Sequence, residues 1–202
     1  MSFMFANCSS LKVIILKNVN SINVTDMRNL FENCFSLSYL KLTFFNTSNV
    51  TDMSFMFSEC LSLKNLDLKN FNTANVTDMR WMFNNCSSLT SLDLNNFITD
   101  KVTNMSFMFY NCISLHHLYL NNFNTRKVVD MNNMFYSCSS IKSLDLSSFF
   151  TYKVKNMKNM FTKCSSLIFL DISNFNYDNV KDKGYEISDF NKECDIITND
   201  VI

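Results

Sequence analysis

Apolar and polar positions recur along this chain with a single period. Cysteine stands at 8, 34, 60, 86, 112, 138 and 164, each 26 residues after the last. Met1, Met27, Met53, Met79, Met105, Met131 and Met157 make a second column, and Phe5, Phe31, Phe57, Phe83, Phe109, Phe135 and Phe161 a third. No insertion interrupts them before Val180. A fixed period of this length is the signature of a solenoid, in which each repeat is one structural unit stacked on the next.

Within a repeat the first pattern is L-x-x-L-x-L-x-x-F, as in Leu37, Leu40, Leu42 and Phe45. The alternation at 40 and 42 predicts a short strand with both side chains inward, and stacked repeats would align these strands into a parallel sheet. A polar passage and a valine column (Val50 and equivalents) follow, then an acid or its amide: Asp26, Asp52, Asp78, Asn104, Asp130 and Asn156. Met53, Met56, Phe57 and Cys60 stand at i, i+3, i+4 and i+7, which predicts a short helix with the Asp52 column as its N-cap. The fold class expected is an α/β solenoid, with short parallel strands on one face and short helical turns on the other. A serine two places after each ladder cysteine, from Ser10 to Ser166, is read as a hydroxyl that satisfies the bend into the next strand. One repeat alone has no partner strand and cannot bury both flanks, so stability must come from stacking.

The solenoid is expected over residues 1–182, as about seven repeats. It starts in mid-repeat, because MSFMFANC at 1–8 matches MSFMFYNC at 105–112. With no capping segment or secretory signal there, the expectation is a fragment or a start further upstream; the alternative is a genuine Met1 with a frayed first half-repeat. Residues 183–202 are expected to be a degenerate last repeat, a cap or a flexible tail. Lys183 stands where methionine should, Ile187, Phe190 and Cys194 recover the pattern four residues late, and Ile197 takes a leucine position.

Composition narrows the function. Hydrophobic residues are 47% of the chain, enough for a folded domain, and the formal net charge is zero, which gives no field favouring nucleic acid. No apolar run approaches the roughly 20 residues of a membrane helix, so no direct membrane insertion is expected. With one glycine and no proline, turns must be built by other residues, and asparagine, which tolerates the left-handed region, is the natural substitute.

The ladder of Cys34, Cys60, Cys86, Cys112, Cys138 and Cys164 is read as structural: these thiols sit in an apolar stripe, without the close pairs of a zinc site. The methionine columns are read as packing. His116 and His117 are adjacent, so a strand would point them to opposite faces, which argues against a shared metal ion. A single glycine cannot build a phosphate-cradling loop, and no nucleophile elbow appears. The chain is therefore expected to be no enzyme and to carry no cofactor.

A partner surface is expected on the outward strand positions. One column holds Tyr39, Asn65, Ser91, His117, Ser143 and Phe169, the other Lys41, Asp67, Asp93, Tyr119, Asp145 and Asp171. These positions vary on a fixed frame, as a repeat protein's binding face does. The stacked acids suggest a patch for a cationic partner, or else a device that keeps the face solvated. A second candidate is an outer aromatic stripe, Phe55, Trp81 and Phe107, pointing away from the core or shielded by its neighbours.

The L-x-x-L-x-L strand segment followed by M-x-x-M-F-x-x-C-x-S-L resembles the BspA-like class of leucine-rich repeats, in the long-period version of mycoplasma-type lipoproteins. The resemblance covers residues 1–182. It implies a right-handed, curved coil, display at the cell surface, and adhesion or protein binding, with a host or matrix protein as partner, through the concave sheet face. The alternative is an intracellular scaffold, or a truncated fragment of a larger repeat protein with no independent activity.

Overall fold

The computed structural model describes residues 1–17, 19–43, 45–180 and 193–199. Its strands are β1 (Val13–Lys17), β2 (Tyr39–Thr43), β3 (Ser91–Asp93), β4 (His117–Tyr119), β5 (Ser143–Asp145), β6 (Phe169–Asp171) and β7 (Asp195–Ile197). All pairings are parallel and one repeat apart, as in Ile14 opposite Leu40 and Leu92 opposite Leu118. The chain is thus a parallel β-solenoid of about seven turns.

The strand stack is not continuous. It divides into β1–β2, β3–β4 and β5–β6–β7. The coil carrying Leu66 and Leu68 forms no strand, although it has the same apolar spacing. There Asn65 and Asp67, residue types depleted in strands, flank Leu66.

The predicted helices are absent among the described residues, and this corrects the α/β assignment. The segment from Met53 to Cys60 is instead a run of tight turns, closed by Met56 N–H to the Met53 carbonyl and Cys60 N–H to the Phe57 carbonyl. The third residues of these two turns, Phe55 and Glu59, have φ of 59° and 63°, as a type II turn requires. The N–H groups of Met53, Phe55, Phe57 and Glu59 donate to carbonyls of the next coil, those of Asp78, Arg80, Met82 and Asn84. A helix of so few residues is marginal. The flat turn run lets alternate N–H groups reach the neighbouring coil, while the inward side chains keep the i, i+3, i+4, i+7 positions that a helix would use.

The acid column keeps its capping chemistry on a different structure. Asp52 Oδ1 accepts the Ser54 N–H at 2.8 Å and the Ser54 hydroxyl at 2.6 Å. Asp26, Asp78, Asn104, Asp130 and Asn156 each accept the N–H two residues on. These residues also form isolated parallel bridges from coil to coil.

The core is a set of ladders running along the stack. The Phe31 ring lies 5.6 Å from Phe57, and Phe57 the same distance from Phe83, nearly parallel in both cases. Phe45, Phe71 and Phe97 form a second stack. The methionine, valine and leucine columns fill the space between and are almost wholly buried.

At the far end, β7 keeps the period. Leu170 pairs with Ile196, and 196 − 170 = 26. Ile196 therefore takes the inward leucine place, and Ile197, opposite Asp171, is exposed, contrary to the expectation for Ile197. Cys194 falls in the column of Ile168, not in the cysteine ladder. Backbone pairing to β6 sets this register, and it overrides the count made from the cysteine. Lys183, Ile187 and Phe190, with the rest of 181–192 and 200–202, lie outside the described residues.

Candidate functional site

The outward strand positions form one exposed face. Tyr39 and Lys41 stand on β2, His117 and Tyr119 on β4, Asp93 on β3 and Asp145 on β5, all exposed. Asp67 is exposed on the coil without a strand. Phe169 and Asp171 are only half-buried or less accessible than the rest, because β7 stacks against their strand.

The acids of this face have local work. Asp67, Asp93, Asp145 and Asp171 each accept the backbone N–H two residues on, at 3.1, 3.1, 3.0 and 2.9 Å. An aspartate at the end of the strand that closes its own turn is a sufficient reason for the column. Tyr119 interrupts that column and cannot do the same.

Clefts open on the face where neighbouring coils stop bonding. The Leu94 N–H reaches the Tyr119 carbonyl at 3.1 Å, and the equivalent Leu146 and Ile172 N–H groups reach Asp171 and Ile197 at 2.9 and 2.8 Å. Among the described residues no such bond joins Leu42 to Asp67, Leu68 to Asp93, or Leu120 to Asp145. Cavities of about 470, 260 and 420 Å³ lie at those three places. Leu66 and Leu118, beside them, are only partly buried, unlike the rest of the inward leucines near them.

The outer aromatic stripe is a stack. Trp81 lies 5.8 Å from Phe55 and 3.9 Å from Phe107, with planes within 6°. Tyr110 and Tyr136 extend it, and the Lys163 ammonium sits 5.1 Å above the Tyr136 ring. The three stripe residues are half-buried and hold φ near 59° on turns, where a helix exterior was expected. Their faces cover one another, so they turn ring edges to the surroundings. Stacking of about 0.5–1.5 kcal/mol per pair offsets part of the roughly 1–2 kcal/mol that a left-handed conformation costs.

All the cysteines are free thiols, and Cys34 through Cys164 in the ladder are buried. Each of these donates its S–H to the carbonyl of the phenylalanine in the preceding coil, as Cys112 does to Phe83 at 3.2 Å. Burial pushes the Cys112 thiol up to about 12 and Cys34 to about 11. Among the described residues no group of three or more histidines, cysteines and acids is placed to hold a metal ion. His116 and His117 are both exposed, and His116 Nδ1 donates to the Ser114 carbonyl at 2.6 Å.

One structural column escapes the sequence reading. Thr47, Thr73, Thr99, Thr125 and Thr151 are buried, and each side chain bonds both the N–H and the C=O of one residue in the next coil. The signal was available: threonine recurs at 47, 73, 99, 125 and 151, inside the passage between the strand and the valine column.

No curated protein sequence matches the chain. A solved structure, a leucine-rich repeat protein from Bacteroides ovatus, is similar at a TM-score of 0.46 and 19% identity. The similarity covers 98% of this chain and 56% of that one, so the chain spans little more than half of that protein's length. A repeat-family signature covers residues 1–97 and again 89–199. With nearly its whole length matched, the chain belongs to the family described as "Mycoplasma protein of unknown function, DUF285", in keeping with its mycoplasma-type, BspA-like leucine-rich repeats.

Proposed function

We propose that this chain is a non-catalytic binding module that engages a protein partner through its exposed strand face. Its role in this reading is adhesion at the cell surface, with a host or matrix protein as partner. One observation carries the proposal. The outward positions hold Tyr39, His117 and Phe169 in one column and Lys41 and Tyr119 among the turn-closing aspartates of the other, while the columns behind them repeat from coil to coil and are mostly buried. Tyr39 and Tyr119 remain 50% and 45% exposed on this rigid frame. Aromatic side chains held half out of a stiff surface bury large area with little loss of freedom, and such residues dominate interface energetics.

Solid-phase binding to a panel of immobilised extracellular-matrix proteins tests the reading. Saturable binding is expected, falling about tenfold in a Tyr39→Ala, Tyr119→Ala double variant. Binding that is unchanged in this variant would remove the strand face from consideration. Surface biotinylation of intact cells that express the protein tests its display.

A further inference from the structure

The net charge of zero hides an uneven distribution. Residues 101–163 carry eight lysines and arginines against two acids. The hundred residues before them carry seven against eight, and those after them three against eight. Much of the excess gathers on one edge of the coil, away from the strands. Lys101, Lys127 and Lys153 stand one period apart, on turns closed alike by the Val102, Val128 and Val154 N–H groups to the Thr99, Thr125 and Thr151 carbonyls. The bridges from Asn104 to Asp130 to Asn156 hold these coils in register. Arg126, Lys155 and Lys158 lie beside the three lysines, and all six are exposed.

Other coils show what the lysines displace. In the same column Asn49, Asn75 and Asn179 each donate a side-chain N–H to a carbonyl of the preceding coil, at 2.7, 2.8 and 2.9 Å. Lys101 keeps a bond backwards, to Asn75 Oδ1 at 2.7 Å. Among the described residues the Lys127 and Lys153 ammonium groups have no hydrogen-bond or ion-pair partner. These coils thus give up a bond and stack like charges, which destabilises neighbouring chains. The acid column beside them changes over the same coils. Asp26, Asp52 and Asp78 give way to Asn104, Asp130 and Asn156. The amides close their turns as the acids do, Asn104 accepting the Ser106 N–H at 2.9 Å, so the turns do not call for the change. Its effect is to remove negative charge next to the lysines. The acid that remains, Asp130, is held by Asn132.

The shape of the patch narrows its ligand. Along the stack the three lysines span about 10 Å, two intervals of a ~4.8 Å strand spacing. The exposed Asp100 and Asp178 bound them. A duplex nucleic acid carries a charge every ~1.7 Å without a break and would lay phosphates over both acids. Single strands are held by successive bases stacked on aromatic faces. Here the Arg126 guanidinium covers the Phe150 ring at 4.1 Å, which leaves Tyr152 as the one exposed ring of the patch. A thin, linear polyanion without bases meets neither obstacle.

We propose that Lys101, Lys127 and Lys153 form a binding surface for a sulfated polysaccharide. Its sulfates pair with ammonium groups set one coil apart, and Arg126, Lys155 and Lys158 extend the positive field. This surface is separate from the strand face and does not rest on the reading given for that face.

Fluorescence anisotropy with a labelled heparin oligosaccharide tests it, against the desulfated oligosaccharide. The sulfated probe is expected to bind and the desulfated one not to. The triple variant Lys101→Asn, Lys127→Asn, Lys153→Asn installs the residue of the other coils. It should weaken binding about tenfold or more and flatten the dependence of log Kd on log salt by about one unit per lysine. The triple variant Lys12→Asn, Lys17→Asn, Lys64→Asn removes the same charge from exposed positions outside the patch, and should stay within about twofold. Lys101→Arg, Lys127→Arg, Lys153→Arg should bind as the native chain does. Unchanged thiol protection in all three variants checks the fold. Equal losses in the two asparagine triples would reduce the effect to general charge and overturn the proposal. So would absent binding of the sulfated probe, equal binding of the desulfated one, or loss of binding in the arginine triple. Displacement of the probe by single-stranded or duplex DNA at a lower concentration than by unlabelled heparin would make nucleic acid the ligand, and overturn it too.

Discussion

The Thr99 hydroxyl bonds both main-chain polar groups of Asn124 in the next coil, accepting its backbone N–H at 2.7 Å and donating to its backbone carbonyl at 3.0 Å. One side chain thus stands in for a strand's main chain. It joins two coils at a point where no strand is present.

Substituting Thr99→Val keeps the shape and removes both bonds. Two polar groups in a largely enclosed place lose their partner, at about 1–3 kcal/mol for such a group. Thr99→Ser keeps the hydroxyl and loses one methyl, about 1 kcal/mol. Urea unfolding should therefore rank the valine variant well below the serine variant. Equal stabilities would mean that the hydroxyl contributes nothing beyond its volume.

The thiols make a second prediction. Cys8 and Cys194 are only partly buried, whereas the ladder from Cys34 to Cys164 is enclosed. In native protein a thiol reagent should modify the first two quickly and the ladder only on unfolding. The same burial makes stability depend on alkaline pH. The Cys112 thiol is raised from 9.0 to about 12, so above pH 9 the unfolded chain releases this proton first. Its contribution is complete below pH 9 and falls by about 1.4 kcal/mol per pH unit as pH rises towards 12. Urea midpoints measured across that window should drop, and Cys112→Ala should make the drop shallower.

A third prediction concerns the turn run. Ser137 holds φ at 60°. Glycine meets this conformation without the Cβ clash, so Ser137→Gly should gain up to about 1 kcal/mol after its entropic cost. Ser137→Val should lose about 1–2 kcal/mol or more, because a β-branched residue is a poor fit there. Thermal unfolding of the pair distinguishes the signs, and a destabilised glycine variant would contradict the strained geometry.

The helix expectation failed for an identifiable reason. Met53, Met56, Phe57 and Cys60 report which side chains face inward, and two tight turns present the same four as a helix would. The discriminating signal lay in the positions between them. Asn29, Asn33, Asn85, Asn111, Asn133 and Asn159 all hold positive φ, the conformation asparagine tolerates. Phe55, Trp81 and Phe107 share that conformation without the tolerance, and stacking makes up part of the difference. The threonine column was legible in the same way, as one residue type repeated from Thr47 to Thr151 at the period of the chain. The exposed strand columns were placed from alternation alone, but their division into separate sheets was not.

The sequence by itself determined the period, the inward columns and the outward faces of this protein, because a translational repeat forces equal residues into equal surroundings. Only the tertiary structure decided where coils zip together and where they part, and that β7 returns in register with β6. Those outcomes depend on hydrogen bonds between residues one coil apart, whose geometry is set by the stack as a whole and by no single repeat.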